Sequence, residues 1–325
     1  MTTPTTTPMT NRPGGAAPYT AETWPVAAAM LAFGSTDSRG GPIQDADPAE
    51  WAKQLRLVAR MGFTEVDPTD TWVRVGDLSP ARLADFSGGL ADAGLTIPAI
   101  STSRRSVMDP ERGEEYLDYS HRLLDAAAQL DVPLVSFGFF QAFTPAQAKA
   151  LWFWLEKGWQ DDESAEARAL AASRIRELAE HAAGNGQQIS LEMYEDTYVG
   201  TCDSAVAFLK EVDHPACGLN PDIGNFIRLH RPLEPVPAMF EIVLPHANYW
   251  HVKNYSRDED PASGVVSTFP LPMEFGLINY RAAIGRALEL GFTGAFLCEH
   301  YGSDSLGVIA RNRRYIREVL ATLLD

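Results

Sequence analysis

Eight short apolar runs, at 26–33, 63–67, 96–102, 134–139, 189–194, 217–222, 248–253 and 295–300, alternate along this chain with longer amphipathic stretches. Parallel strands need crossover connections of a dozen or more residues, usually helical, and this alternation is the sequence form of that requirement. The helical patterns fall at 48–61, 80–93, 111–130, 163–183, 204–212, 280–290 and 306–324. Asp47-Pro48 and Ser79-Pro80 place a capping side chain before a proline at the first helical position, and Gly62, Gly94 and Gly291 follow helix ends. Eight such units predict an α/β fold, a closed (β/α)8 barrel in one domain over 23–325, behind a flexible Thr/Pro-rich tail at 1–22. An open doubly wound sheet is the rival, but no GxGxxG follows the first strand to support a dinucleotide site.

The formal charge of −16 argues against a phosphate backbone as substrate, because such binding depends on clustered Lys and Arg. Cys202, Cys217 and Cys298 are odd in number and lack CxxC spacing, so neither a disulfide framework nor a structural zinc site is expected, and a reducing cytoplasm fits. No basic region precedes an apolar core at the N-terminus, and no segment approaches the ~18 apolar residues of a membrane span. Two connections are longer than a barrel requires. Residues 143–162 carry Trp152, Trp154 and Trp159; residues 255–275 carry Asp258, Glu259, Asp260 and three prolines. Both follow strands, so both are expected on the catalytic face, as lids or partner-binding surfaces.

The placement of polar residues bears most directly on function. Glu192 in ISLEMYED, Asp222 in GLNPDIGN, His251 in NYWHVKNY and Glu299 in AFLCEHYG each stand at the end of an otherwise apolar strand. Strand ends converge at the top of a barrel, so the four can meet there although they are far apart in sequence. Alone, each is more simply a solvated loop carboxylate, a helix cap or a hydrogen-bonded core histidine. Their coincidence outweighs that, and Lys253, two residues beyond His251, shares its strand face. Three carboxylates and an imidazole, with no thiolate, suit one divalent ion: Mn2+, Mg2+ or Co2+ ahead of zinc.

The surroundings LEMYED, NPDIGN, WHVKN and CEHYG resemble the xylose isomerase-like superfamily of sugar isomerases, ketose 3-epimerases, inosose dehydratases and endonuclease IV, over roughly 26–324. That resemblance implies Glu192, Asp222, His251 and Glu299 as metal ligands. It departs at Asn225, where many epimerases carry histidine three positions after the sixth-strand Asp. A narrower likeness, in SLEMYEDTYVGT, GLNPDIGNFIRLHRP, NYWHVKNYSRDEDP and PMEFGLINYR, is to α subunits of bacterial C-glycoside deglycosidases, which bind a divalent metal and work with a small β subunit.

Both likenesses imply removal of a proton from the carbon next to a sugar carbonyl, helped by the metal as Lewis acid. Glu192, Glu299, Lys253 and His251 are the catalytic candidates, with Mn2+ first among metals. Lys253 would hydrogen-bond a substrate oxygen. Tyr194, Glu195, Lys253 and His300 flank the ligands as candidate proton donors, Glu195 and His300 serving equally well to orient the ligands. The expected substrate is a 3-oxo-C-glucoside cleaved at its C–C bond by elimination, with a β subunit as partner and with neither nucleic acid nor membrane involved. The alternatives are a free-standing sugar isomerase or epimerase acting on ketoses, an endonuclease IV-like repair enzyme, which needs more than the seven histidines here, and a non-catalytic binding protein.

Overall fold

The structure, a computed structural model, describes residues 18–324. Its strands are β1 (Val26–Ala29), β2 (Glu65–Asp67), β3 (Ile100–Ser101), β4 (Leu134–Phe137), β5 (Gln188–Glu192), β6 (Cys217–Asn220), β7 (Tyr249–Val252), β8 (Asn254–Glu259), β9 (Val266–Leu271) and β10 (Ala295–Cys298). Two parallel sheets, ordered β2-β1-β10-β7 and β3-β4-β5-β6, are joined by single parallel bridges, Glu65 to Thr96 and Leu219 to Ala247. The joined strands close the expected (β/α)8 barrel. The helices are α1 (Pro48–Arg60), α2 (Pro80–Ala93), α3 (Gly113–Gln129), α4 (Ala165–Gly184), α5 (Cys202–Val212), α6 (Gly224–Ile227), α7 (Val236–Val243), α8 (Tyr280–Glu289) and α9 (Ser305–Leu324).

The predicted caps are present: Asp47 accepts from the Ala49 amide and Ser79 from the Arg82 amide, each before a proline, and Gly94 ends α2 in the left-handed region. The β8–β9 ribbon and the short helices α6 and α7 were not foreseen. Residues 255–275, expected as a long connection serving as a lid or partner-binding surface, hold all but the first residue of the antiparallel β8–β9 ribbon, and the proline-flanked stretch after β6 contains α7. Pro270 and the acidic run at 258–260 hide the ribbon's period, yet Pro270 is tolerated on a two-stranded ribbon with free edges. Of the tail expected at 1–22, residues 1–17 lie outside those described; Tyr19 packs on Trp24, and Arg317 donates to the Ala21 carbonyl. All three cysteines are free and buried, and no described helix is long and apolar enough to cross a membrane.

Alternation along each strand decides what faces where. Val26 and Ala28 point outward into the main core under the helices, while Ala27 and Ala29 point into the barrel, with Ala99, Leu134, Tyr249 and Leu297. The same rule sends Trp250 and Val252 outward on β7, and Phe296 and Cys298 outward on β10. Their neighbours in sequence are therefore left to the barrel axis.

Candidate metal centre

Those inward positions carry the chemistry. Tyr249, His251 and Lys253 alternate with outward residues on and just past β7; Glu192 ends β5, Asp222 lies two residues beyond β6, and Glu299 follows β10. His251, Lys253, Glu192, Asp222 and Glu299 are all buried, so the side chains placed together by sequence reasoning do share one site. His251 Nδ1 lies 3.5 Å from Glu192 Oε2, 3.7 Å from Glu299 Oε1 and 3.9 Å from Asp222 Oδ2. Lys253 Nζ donates to Glu299 Oε2 at 2.5 Å and forms an ion pair with Asp222 Oδ2 at 2.6 Å, though out of hydrogen-bond alignment.

Three features show that a divalent cation fits. Both Asp222 oxygens and His251 Nδ1 are buried without an aligned hydrogen-bond partner. The spacings around Nδ1 exceed the ~3.2 Å of an ordinary N–H···O bond. They approach the roughly 3–3.5 Å expected between neighbouring ligand atoms that share one ion at about 2.0–2.2 Å. Finally, three carboxylates face one lysine and one histidine in a water-poor site, so negative charge is in excess unless a cation joins them. Ligand atoms of Glu192, Asp222 and His251 lie within 4.8 Å of one another and form the tight part of the set. Glu299 lies beside that group, with Oε1 3.7 Å from His251 Nδ1 and Oε2 accepting from Lys253.

Electrostatics divides the carboxylates. Burial pushes Asp222 up to about 6, with Lys253 opposing the rise and Glu299 and Glu192 adding to it. Burial would raise Glu192 as well, but His251 beside it, then Lys253 and Asn225, bring it down to about 2. Burial works against the charged forms of His251 and Lys253, yet the acidic neighbours prevail, raising His251 to about 9 and Lys253 well above its ordinary value.

A buried chain of side chains sets the histidine's orientation. His251 Nε2 lies 3.0 Å from Ser101 Oγ; Ser101 donates to Asp67 Oδ2 at 2.6 Å, and Tyr249 donates to the same oxygen at 2.7 Å. With the Ser101 hydrogen committed to Asp67, Nε2 carries the hydrogen on that side of the ring, so Nδ1 faces the carboxylates; it carries the second proton of the charged ring and would present a lone pair once an ion displaced that proton. Asn225 donates to Glu192 Oε1 at 3.2 Å and to the Met193 carbonyl at 2.9 Å. Gly224 is required by close packing, since a Cβ there would stand 2.5 Å from Lys253 Cγ and 2.9 Å from Asp222 Oδ1.

Above the ligands the pocket narrows to about 50 Å3, walled by Thr69, Thr71, Arg104, Phe140, Tyr194 and Tyr301 among others. Arg104, Phe140 and Tyr194 also wall a neighbouring chamber of about 320 Å3. Arg104 has a positive φ of 56°, stacks 3.9 Å from the Phe143 ring and donates to the Tyr194 hydroxyl at 2.8 Å. Of the candidate proton donors, Tyr194 and Lys253 stand at the site. Glu195 is taken up by Arg228 at 2.9 and 3.0 Å, and His300 does not line the pocket. The tryptophans of the 143–162 segment separate: Trp154 is buried against Tyr255 and Tyr301, Trp152 stacks on Trp154, and Trp159 is exposed beside the larger chamber.

Sequence reasoning missed Asp67, Ser101, Tyr249 and Arg104. Asp67 could have been found, because it too is a carboxylate closing an apolar strand; Ser101 and Arg104 are of types that loops display everywhere.

Solved structures with this architecture include a xylose isomerase-like TIM barrel protein from Mycobacterium smegmatis in complex with magnesium. It is 55% identical, with a TM-score of 0.92, over 94% of this chain and 100% of that one. In this chain the buried Glu192–Asp222–His251 group has the spacing to hold a metal ion. D-psicose 3-epimerase from Clostridium cellulolyticum H10 shares the fold at 14% identity and TM-score 0.62, over 93% and 99% of the two chains. So does 3-keto-D-glucoside 4-epimerase from E. coli, at 13% and 0.61, over 91% and 100%. No curated protein matches this chain. The family model for the xylose isomerase-like TIM barrel matches residues 55–323, and with the closed barrel and the convergent strand ends this chain belongs to that family.

Proposed function

We propose that this chain is a divalent-metal-dependent enzyme that removes a proton from the carbon next to a sugar carbonyl. Within that class we assign it as the α subunit of a C-glycoside deglycosidase, which works with a small β subunit on a 3-oxo-C-glucoside. The carrying observation is the pair of carboxylates, Glu192 at the end of β5 and Glu299 just after β10, 3.5 and 3.7 Å from His251 Nδ1. Glu192, Asp222, His251 and Glu299 would hold one ion, Mn2+ first among candidates, which when bound polarises sugar oxygens and stabilises the enolate.

Glu192, held at about 2, is ionised at neutral pH and serves as base or ligand rather than acid. Lys253 stays protonated between Asp222 and Glu299 and offers a hydrogen to a substrate oxygen. Asn225 holds Glu192 through its amide and takes up no proton, which favours one-way loss of a proton followed by elimination over delivery to a second face. The chamber beyond Arg104 and Tyr194 gives space for a group attached to the sugar, which supports a glycoside over a free ketose. A free-standing isomerase or epimerase is the second reading, since the same two carboxylates also suit it.

The test is turnover by the purified Mn2+-loaded chain, alone and with its small partner, on free ketoses and on a 3-oxo-C-glucoside, with Glu299→Ala and EDTA as controls. Cleavage that needs the partner and disappears with EDTA and with Glu299→Ala supports the assignment. Ketose conversion by the chain alone replaces it with the second reading, and absence of bound metal overturns both.

A further inference from the structure

On the outer helical layer, two histidines meet between α3 and α4 in an arrangement the proposed reaction does not use. His121 Nδ1 lies 2.7 Å from His181 Nδ1, the rings inclined by 24° with centroids 5.0 Å apart. The second nitrogen of each ring is held by a carboxylate of the opposite helix. His121 Nε2 is 2.8 Å from Glu177 Oε1, and His181 Nε2 is 2.8 Å from Asp125 Oδ1. Each helix supplies its histidine and carboxylate four residues apart, hence on one face.

Hydrogen bookkeeping then constrains the centre. Ionised carboxylates only accept, so both Nε2 atoms carry hydrogens. Two Nδ1 lone pairs are left facing each other at contact distance, and only a cation between them relieves the repulsion. A shared proton is one such cation. A transition metal is another, and an imidazole backed by a carboxylate on its far nitrogen is how metal-binding histidines are ordinarily oriented.

We propose that His121 and His181 form a second metal site, for a borderline ion of the Zn2+ type, in which the ion replaces the shared proton and ties α3 to α4. Both side chains keep about a quarter of their surface exposed, 27% and 26%, so solvent completes the coordination shell. In the exchange the protonated pair releases one proton to solvent, and the ion accepts the two Nδ1 lone pairs. Zn–N bonds of about 2.0–2.1 Å in tetrahedral geometry set the nitrogens roughly 3.3 Å apart, so the rings part by about 0.6 Å from their spacing here. An all-nitrogen pair attracts Zn2+ and not Mg2+, whereas the barrel centre is rich in oxygen, and this separates the two sites chemically.

The experiment is calorimetric titration of Zn2+ into the wild type, His181→Gln and Asp222→Asn at pH 7.5, in two buffers of different ionisation enthalpy. The expected result is two equivalents for the wild type and one for each variant, with one proton released per Zn2+ at the site that survives in Asp222→Asn. Zn2+ should raise the melting temperature of Asp222→Asn and lose that effect when His181→Gln is added. If His181→Gln fails to fold, shown by loss of Mg2+ binding at the barrel, His121→Asn provides the same count. Equal Zn2+ stoichiometry in the wild type and a folded histidine variant, or uptake there without proton release, overturns the proposal.

Discussion

Ser101 Oγ lies 3.0 Å from His251 Nε2, so the histidine that faces three carboxylates is oriented by a serine from the far side of the barrel. Ser101→Ala leaves that ring nitrogen without its partner. We expect a 10- to 100-fold loss of Mg2+ or Mn2+ affinity, the usual cost of removing a group that orients a ligand. Calorimetric titration measures it, and Ser101→Thr should recover most of the loss. An unchanged affinity in the alanine variant would show that packing alone holds the ring.

Lys253 spans Asp222 and Glu299 with one ammonium. Lys253→Met removes a cation that competes for the same oxygens, so the divalent ion should bind as tightly as in the wild type or more so, while turnover falls by about 10² or more if the ammonium polarises a substrate oxygen. Metal affinity and kcat therefore move apart. Should both fall together, Lys253 serves the metal site and not the substrate.

Gly224→Ala would set a Cβ 2.5 Å from Lys253 Cγ, inside a wall that also holds Asp222. Overpacking of this kind costs about 1–3 kcal/mol, and here the displaced atoms belong to the site itself. Lower stability in urea titration should thus come with weaker metal binding. A destabilised variant with wild-type metal affinity would place the strain elsewhere.

Burial raises Asp161 to about 7, against hydrogen bonds from the Tyr198 amide and Gln141 that lower it. Since the unfolded carboxyl ionises near 3.8, the folded chain holds this proton longer, and stability falls as pH rises from about 4 to about 7, then levels off. Asp161→Asn removes that slope. The gain at pH 8 should be no more than ~4 kcal/mol, taking ~1.4 kcal/mol per unit, and should vanish near pH 4. Thermal melts across that range provide the measurement; a constant difference between the two proteins would exclude the ionisation.

The barrel was legible because its cause is local and repeated: eight apolar runs and their amphipathic crossovers admit few other packings, and strand ends such as Glu192 and Glu299 are polar where burial would select against them. Along β7, the period of two alone assigns His251 and Lys253 to one face. By contrast, the β8–β9 ribbon was not legible, because prolines and charges disguise a pair that needs only one partner strand. Three things belong to the tertiary structure: which nitrogen of His251 faces the carboxylates, which glutamate Arg228 occupies, and that His121 meets His181. Each depends on side chains brought together across 33 to 150 positions of sequence, at distances fixed by helix and strand packing that no local pattern encodes.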